Sequence, residues 1–309
     1  MTDLRSALKR YLTIRKGLGY KYQRQTRLLA DFVAFMEKRK ATTITTKLAM
    51  EWATLPADCR GSWLSQRLTN VRGFALHVAS FDPRTEVPPV GIVPGPKRAR
   101  PYIYNDAEID ALLKAAQALP PKHGLRRWTF HALFGLYAVT GLRLSEATGL
   151  ERDDVDLNAG VLTIRQSKFG KSRLVPLHPT TCTALRRYAV RRDAHLGSRQ
   201  GSTFFVTEQG GRLLPRHVHF VFWRLSREIG LRQRGDHTGP RVHDFRHSYA
   251  IRVLLDGYRE GKDIEQLLPV LSTYLGHTNV RDTYWYLSSC PGLMQEAAKR
   301  VDRRWEVQP

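Results

Sequence analysis

The hydrophobic positions of the first 88 residues recur at intervals of three and four, which is the spacing of amphipathic helices. One such series lies at 4–12, a second at 28–36, and a stronger one at 63–78. A threonine-rich segment at 42–46 precedes another short apolar series and predicts a further helix start. Residues 1–88 are therefore predicted to form a helical domain.

The helical pattern stops in residues 89–103, which are rich in proline and glycine. Proline lacks the backbone N–H that a helix needs, so this segment cannot hold a regular helix. Lys97, Arg98 and Arg100 give it the character of an extended basic linker that can cross a phosphate backbone. We predict a domain boundary here.

Helical patterns return after the linker, together with two short β-patterns, over residues 104–290. Asn105 followed by Glu108 is typical of a capping box, and an apolar stretch at 125–140 predicts a helix that ends at Gly141. The remaining predicted elements are a β-hairpin of residues 161–164 and 173–177, helices at 180–193 and 214–229, and a short strand at 204–206. The predicted fold class is mainly α with a small β-hairpin or sheet.

Charge then indicates the kind of partner. The 309 residues include 50 Lys and Arg against 28 Asp and Glu, for a formal net charge of +22. A field of this sign attracts polyanions, and nucleic acid is the commonest of them. A ribosomal-type protein and a membrane-surface binder are alternatives, but the long apolar series favour a folded body over a basic tail. The first candidates for phosphate contact lie in the N-terminal helices: Lys16, Lys21, Arg24 and Arg67.

Several other classes are disfavoured. Three cysteines stand far apart, which argues against a disulfide framework or a structural zinc site. The pair His217 and His219 has no further ligand at a suitable spacing, so we expect no metal and no cofactor. Neither a signal peptide nor a hydrophobic run long enough to span a membrane appears. We therefore expect a cytoplasmic, intracellular protein that does not enter a membrane.

The stretch from His243 to Tyr286 carries most of the candidate chemistry. His243 and Arg246 are three apart and lie on one helix face, so both can point at one anion. His277 and Tyr286 would face opposite ways on an unbroken helix, so a shared site requires a bend, for which Thr278-Asn279 is a plausible place. Two imidazoles, a guanidinium and a phenol suit attack on a phosphodiester.

Two upstream stretches supply further candidates. Arg143 follows the predicted helix end at Gly141, and Glu146 stands three residues later, where a surface ion pair is the alternative interpretation. Lys168 and Lys171 lie in the turn of the predicted hairpin. A lysine in such a turn is normally solvated, but over a phosphate its ammonium group can protonate a leaving oxygen.

These residues, in this order, resemble the tyrosine recombinase (integrase) family. The motifs are Thr140-Gly-Leu-Arg143, Lys168, His243-x-x-Arg246, Leu275-Gly-His277 and Tyr286 nine residues later. They cover residues 104–287, and the N-terminal helices are similar to that family's core-binding domain. The resemblance implies a clamp of two domains around DNA. It also implies strand cleavage and rejoining through a 3′-phosphotyrosyl intermediate, without metal or ATP.

The resemblance also implies roles for the residues. Arg143 and Arg246 would bind the phosphate, His277 would donate to a phosphate oxygen, and Lys168 would be the general acid, with Lys171 as the alternative. His243 is the candidate base or orienting group at Tyr286. Glu146 and His247 are expected to support these residues. Tyr284 is the competing candidate for the nucleophile.

Partners follow from the same resemblance. We expect binding to double-stranded DNA, a homo-oligomer that becomes a tetramer in the synaptic complex, other recombinases or accessory factors, and a place at the bacterial nucleoid. Residues 291–309 carry an amphipathic stripe beginning at Leu293, which either packs on its own domain or docks on a neighbouring protomer.

Two rival functions and one subfamily assignment remain. A type IB topoisomerase uses related chemistry, and a non-catalytic recombination accessory protein would also bind DNA. The segment between Arg246 and His277 is longer than in the family's common form. This longer segment resembles that of transposon-borne members of the family.

Overall fold

A computed structural model describes residues 3–55, 61–95, 100–165, 172–199, 201–233, 235 and 239–306. The chain divides into two compact units, Met1–Ala99 and Arg100–Pro309. Four of the predicted site residues lie outside the described ranges: Lys97, Arg98, Lys168 and Lys171.

The described part of the first unit consists of helices, as the apolar spacing predicts. They are α1 (Leu4–Gly17), α2 (Gln23–Lys38), α3 (Thr46–Thr54) and α4 (Gly61–Ala79). Side-chain oxygens cap two of them, because Asp3 accepts from the first backbone N–H groups of α1 and Thr45 does so for α3. The predicted third helix thus begins inside the threonine-rich segment.

The core of the first unit lies where the apolar stripes of these helices meet. Phe32, Trp52 and Phe74 are buried there, and the rings of Phe32 and Trp52 pack edge to face with centroids 5.1 Å apart. This unit therefore has a core of its own.

The second unit is also mainly helical. Its helices are α5 (Asp106–Gln117), α6 (Arg126–Thr140), α7 (Leu144–Thr148), α8 (Pro179–Leu196), α9 (Pro215–Glu228), α10 (Asp244–Arg259), α11 (Ile264–Leu275), α12 (Arg281–Ser289) and α13 (Pro291–Glu306). The capping box of Asn105 and Glu108 at the start of α5 is confirmed, and Gly141 ends α6 with a left-handed φ of +60°.

A small antiparallel sheet completes the second unit, with strands in the order β1 (Val155–Asp156), β2 (Val161–Ile164) and β3 (Arg173–Pro176). The hairpin β2–β3 is confirmed, with Leu162 paired to Val175. The short strand predicted at 204–206 is wrong, because Val206 forms only an isolated bridge to Arg212. The fold class, mainly α with a small sheet, is confirmed.

Two apolar clusters support the second unit. The larger gathers around Phe134, Phe222 and Phe245, and the smaller is formed by α10 and α11 together with Tyr286 and Leu293. Helix α13 contacts α10 and α12 of its own chain through this smaller cluster. None of the helices in the described ranges combines the length and the apolar character that spanning a lipid bilayer requires.

Candidate active site

The turn after α6 fixes the first arginine. Gly141 adopts a left-handed conformation, and a Cβ there would lie 2.8 Å from the Tyr249 ring, so glycine is required on both grounds. Arg143 then stands in extended conformation as the residue that precedes α7. Its backbone N–H donates to Glu146 Oε2 at 2.9 Å, which anchors the turn.

Glu146 is the acceptor at the centre of the site. Its Oε1 accepts from Nη1 of Arg143 at 2.7 Å and from Nη1 of Arg173 at 3.0 Å, and its Oε2 accepts from Nη2 of Arg173 at 2.8 Å. Burial alone would raise the pKa of Glu146, but the hydrogen bonds from Arg173 and Arg143 lower the pKa to about 2. The carboxylate is therefore ionised at neutral pH, and the ion pair with Arg143 is partly buried rather than a surface pair.

Three consecutive carbonyl groups at the C-terminal end of α11 hold three guanidinium groups. Tyr274 O accepts from Nε of Arg173 at 2.7 Å, Leu275 O from Nη2 of Arg246 at 2.6 Å, and Gly276 O from Nη2 of Arg143 at 2.7 Å. The end of a helix leaves such carbonyls without intrahelical partners and carries partial negative charge. The end of α11 is therefore a natural seat for cations.

Arg246 is the most deeply buried of these arginines, and its Nη1 also donates to Gly141 O at 3.0 Å. Burial, together with the positive charge of Arg143, lowers the pKa of Arg246 to about 10. The guanidinium still carries its charge at neutral pH. Electrostatic interaction with Tyr286 raises the pKa of Arg246, so Arg143, Arg246 and the phenol form one electrostatic site.

The phenol of Tyr286 lies in this site and is 1% exposed. Nδ1 of His247 is 3.0 Å from the phenolic oxygen, and the His277 ring stacks on the tyrosine ring with centroids 6.5 Å apart. Tyr284, the competing nucleophile, is 48% exposed. Geometry thus favours Tyr286.

The predicted bend between His277 and Tyr286 is confirmed. Helix α11 ends at Leu275, Gly276 follows with a φ of +67°, and α12 begins at Arg281. Nδ1 of His277 is hydrogen-bonded to Oγ1 of Thr283 at 2.7 Å. This contact connects the turn after α11 to α12, the helix that carries Tyr286.

His243 requires a correction. The sequence predicts His243 as the base or orienting group at Tyr286, but the imidazole that the structure places at hydrogen-bond distance from the phenol is that of His247. The His243 ring packs edge-on against that of His247, with centroids 4.8 Å apart. His243 and His247 are four residues apart and lie on one face at the start of α10. Their spacing alone therefore allows either imidazole to reach the phenol. Burial and the neighbouring charge of Arg246 lower the pKa of His243 well below its usual value, although one side of the residue faces solvent.

Arg173 was missed by the sequence reasoning, which treated it only as a strand residue. It is the first residue of β3 and its side chain is mostly buried. Its position directly after the lysine-bearing turn was the only available signal. The contacts with Glu146 and Tyr274 O place it inside the site.

The residues predicted to contact DNA differ in exposure. Lys16, Lys21, Arg24 and Arg100 are exposed. Arg67 is buried instead, its Nη2 donates to Trp52 O at 2.8 Å, and its guanidinium lies 3.6 Å from the Trp52 ring centroid. Arg67 is thus a packing residue of the first unit, a correction that the basic pattern alone could not supply. Within the described ranges, no three or more His, Cys, Asp or Glu side chains converge as a metal-binding group.

Comparison with known proteins identifies the family of this chain. Residues 104–291 match the model of the phage integrase family, and the chain belongs to that family. A putative integrase/recombinase, y4rB, of Sinorhizobium fredii is 49% identical, with 99% of each chain covered. Tyrosine recombinase XerD of Ralstonia nicotianae is 31% identical over 86% of this chain and 81% of its own.

Among solved structures, the Tn1549 transposon integrase in complex with a circular intermediate DNA shares the fold. The TM-score is 0.68 and the identity 14%, with 96% of this chain and 99% of that chain covered.

Proposed function

We propose that this protein is a site-specific DNA recombinase that cuts and rejoins strands through a covalent bond between DNA and Tyr286. The observation that carries the proposal is the buried phenol held 3.0 Å from His247, in one electrostatic site with Arg143 and Arg246. A nucleophile beside two fixed cations is what transfer of a phosphodiester requires. Membership of the phage integrase family supports the same chemistry.

The reaction balances without an added oxidant, reductant or nucleotide. The phenolic oxygen of Tyr286 attacks the scissile phosphorus, the bond from phosphorus to the 5′ oxygen breaks, and a 3′-phosphotyrosyl bond forms. The phenolic proton passes to a base, and a proton is delivered to the leaving 5′ oxygen. Attack by the 5′-hydroxyl of a second strand then reverses these steps and joins the new strand.

Arg143 and Arg246 are proposed to bind the non-bridging oxygens of the phosphate. Both guanidinium groups are fixed by backbone carbonyls, so little reorganisation is needed when charge builds up in the transition state. Lys168 is proposed as the general acid, as the family resemblance implies, although it lies outside the described residues.

His247 is proposed as the residue that orients the phenol and receives its proton, because its Nδ1 is in hydrogen-bond distance of the phenolic oxygen. His243 is proposed to support the His247 ring, against which it packs. His277 is proposed to donate to a phosphate oxygen from its place beside Tyr286.

DNA binding and assembly extend the proposal. The net charge of +22 and the exposed basic residues Lys16, Lys21, Arg24 and Arg100 suit a DNA backbone. Exchange between two duplexes cuts four strands, and each cut uses one Tyr286, so we propose four copies in the synaptic complex. We also propose that the first 88 residues bind DNA as a separate domain and that α13 can dock on a neighbouring copy.

A nicked suicide duplex tests the proposal. Duplexes are drawn from the flanks of the encoding gene, with the nick placed so that the cleaved fragment diffuses away and the adduct accumulates. The natural protein and Tyr284→Phe should form a covalent adduct that survives denaturing electrophoresis, and Tyr286→Phe should form none. An adduct with Tyr286→Phe would refute the nucleophile assignment, and failure of the natural protein on every flank-derived duplex would refute the function.

A second assay separates recombination from relaxation. A supercoiled plasmid with two copies of the reactive site should yield recombinant products. Relaxed plasmid without recombinants would instead support the topoisomerase alternative. Binding without any adduct would support the accessory protein.

A further inference from the structure

We infer that Arg173 is a positioning residue, which holds the phosphate-binding Arg143 in place through Glu146 and the C-terminal end of α11. The inference deepens the proposed function and rests on it. Arg173 lies on β3, so it connects the sheet to Arg143 and to the C-terminal end of α11.

Arg173 binds both carboxylate oxygens of Glu146. Its two terminal nitrogens donate to the two carboxylate oxygens at 3.0 and 2.8 Å, a bidentate arrangement. Arg143 donates to the same carboxylate through its side chain at 2.7 Å and its backbone at 2.9 Å. Glu146 is thus shared, and neither arginine can shift without disturbing the other.

The end of α11 provides the second connection. Nε of Arg173 donates to Tyr274 O at 2.7 Å, and Nη2 of Arg143 donates to Gly276 O, two residues further on, at 2.7 Å. A Cβ on Gly276 would lie 2.9 Å from Nη1 of Arg173 and 3.4 Å from Nη1 of Arg143. The two guanidinium groups therefore pack around the same glycine.

Charge shows why this arrangement matters for a phosphate. Arg143, Arg173 and Arg246 carry three positive charges and Glu146 carries one negative charge, which leaves two positive charges for the site. Without Arg173, Glu146 would pair with Arg143 alone and only one positive charge would remain. Arg173 thus shares the carboxylate with Arg143 and offsets its negative charge beside the guanidinium that binds the substrate.

A substrate with a neutral phosphate tests this role specifically. In a methylphosphonate, a methyl group replaces one non-bridging oxygen of the scissile phosphate and removes its negative charge. A variant whose defect is weak neutralisation of that charge should recover on this substrate. A variant that is merely destabilised should not.

The experiment measures the rate of adduct formation on the suicide duplex, with a phosphodiester and with each methylphosphonate diastereomer. Arg173→Ala and Arg143→Ala are compared with Arg192→Ala. Arg192 is a matched control in the same unit, because it is buried and donates to the Asp193 carboxylate and to Phe204 O at 2.9 Å. Arg173→Lys keeps the charge and serves if the alanine variant fails to fold.

We expect Arg173→Ala to slow the adduct on the phosphodiester by about tenfold or more. On one diastereomer it should come within about threefold of the natural protein, as Arg143→Ala should, while Arg192→Ala gains nothing. The inference is overturned if Arg173→Ala reacts as fast as the natural protein on the phosphodiester, or if it is slow on every substrate. These outcomes are read relative to a natural protein that does react, so they are distinct from failure of the proposed function.

Discussion

Replacement of Glu146 by glutamine should change how the stability of the protein depends on pH. The folded-state pKa of Glu146 is about 2, against an ordinary value of 4.5. Because the folded pKa is the lower one, the unfolded chain binds the proton first as the pH falls. The stability that Glu146 contributes is therefore complete well above pH 4.5 and is lost as the pH falls toward 2.

The size of the effect follows from these two values. Their difference corresponds to about 3 kcal/mol in favour of the folded state at neutral pH. About 0.8 kcal/mol of this is lost by pH 4 and about 2 kcal/mol by pH 3. The side chain is only 3% exposed, so solvent screening reduces the contribution little.

Urea unfolding followed by circular dichroism at pH 7, 5, 4 and 3 measures this prediction. Glu146→Gln should be less stable than the natural protein by about 3 kcal/mol at pH 7, because two guanidinium groups lose their carboxylate. The two proteins should then converge as the pH falls. Glu260→Gln is the control, since Glu260 is 55% exposed and pairs with Lys262 at the surface. A constant difference between natural protein and Glu146→Gln from pH 7 to pH 3 would refute the reasoning.

Three further predictions concern residues whose surroundings differ sharply. Gly276→Ala should cost about 1–2 kcal/mol, because Ala is strained at a φ of +67°, and should also slow adduct formation by displacing Arg173. Gly261→Ala, at a φ of +70° in open space, should cost stability alone. Leu293→Ala should cost about 2–5 kcal/mol, and Met294→Ala, which is 59% exposed, less than about 0.5 kcal/mol. Arg67→Met should lower the free energy of unfolding by about 1–3 kcal/mol without changing the salt dependence of DNA binding.

Urea unfolding, the adduct assay and a salt titration of duplex binding check these three predictions. Equal adduct rates for the two glycine variants would contradict the close packing around Gly276. Equal stability of Leu293→Ala and Met294→Ala would show that α13 does not pack on its own chain. A shallower salt dependence for Arg67→Met would return Arg67 to the DNA-contacting set.

Local sequence signals predicted the elements that depend on local physics. Asn105 and Glu108 fix a helix start by exchanging hydrogen bonds within one turn, and Gly141 ends α6 because the left-handed region favours glycine. The hairpin was also predictable, since its strands pair with each other. The segment at 204–206 has the residue types of a strand but finds only a single bridge, so propensity alone gave the wrong answer.

The candidate site was only partly predictable because its decisive contacts join distant positions. Arg173 meets Glu146 across 27 residues and Tyr274 across 101, and no spacing rule reports such a contact. The choice between His243 and His247 depends on the entry angle of α10 and on the place of α12, which are set by tertiary packing. Helical periodicity identified the correct face and could not choose the residue on it.

The hydrogen bonds described above for the candidate site join residues of the second compact unit, from Gly141 to Tyr286. The arginines and the tyrosine can therefore be transferred together, as part of the second unit. On the proposal that the first unit binds DNA, a chimera that carries residues 1–99 of a relative ahead of residues 100–309 should keep the reaction and change the target on which it acts. The target and the chemistry of such an enzyme could then be altered separately.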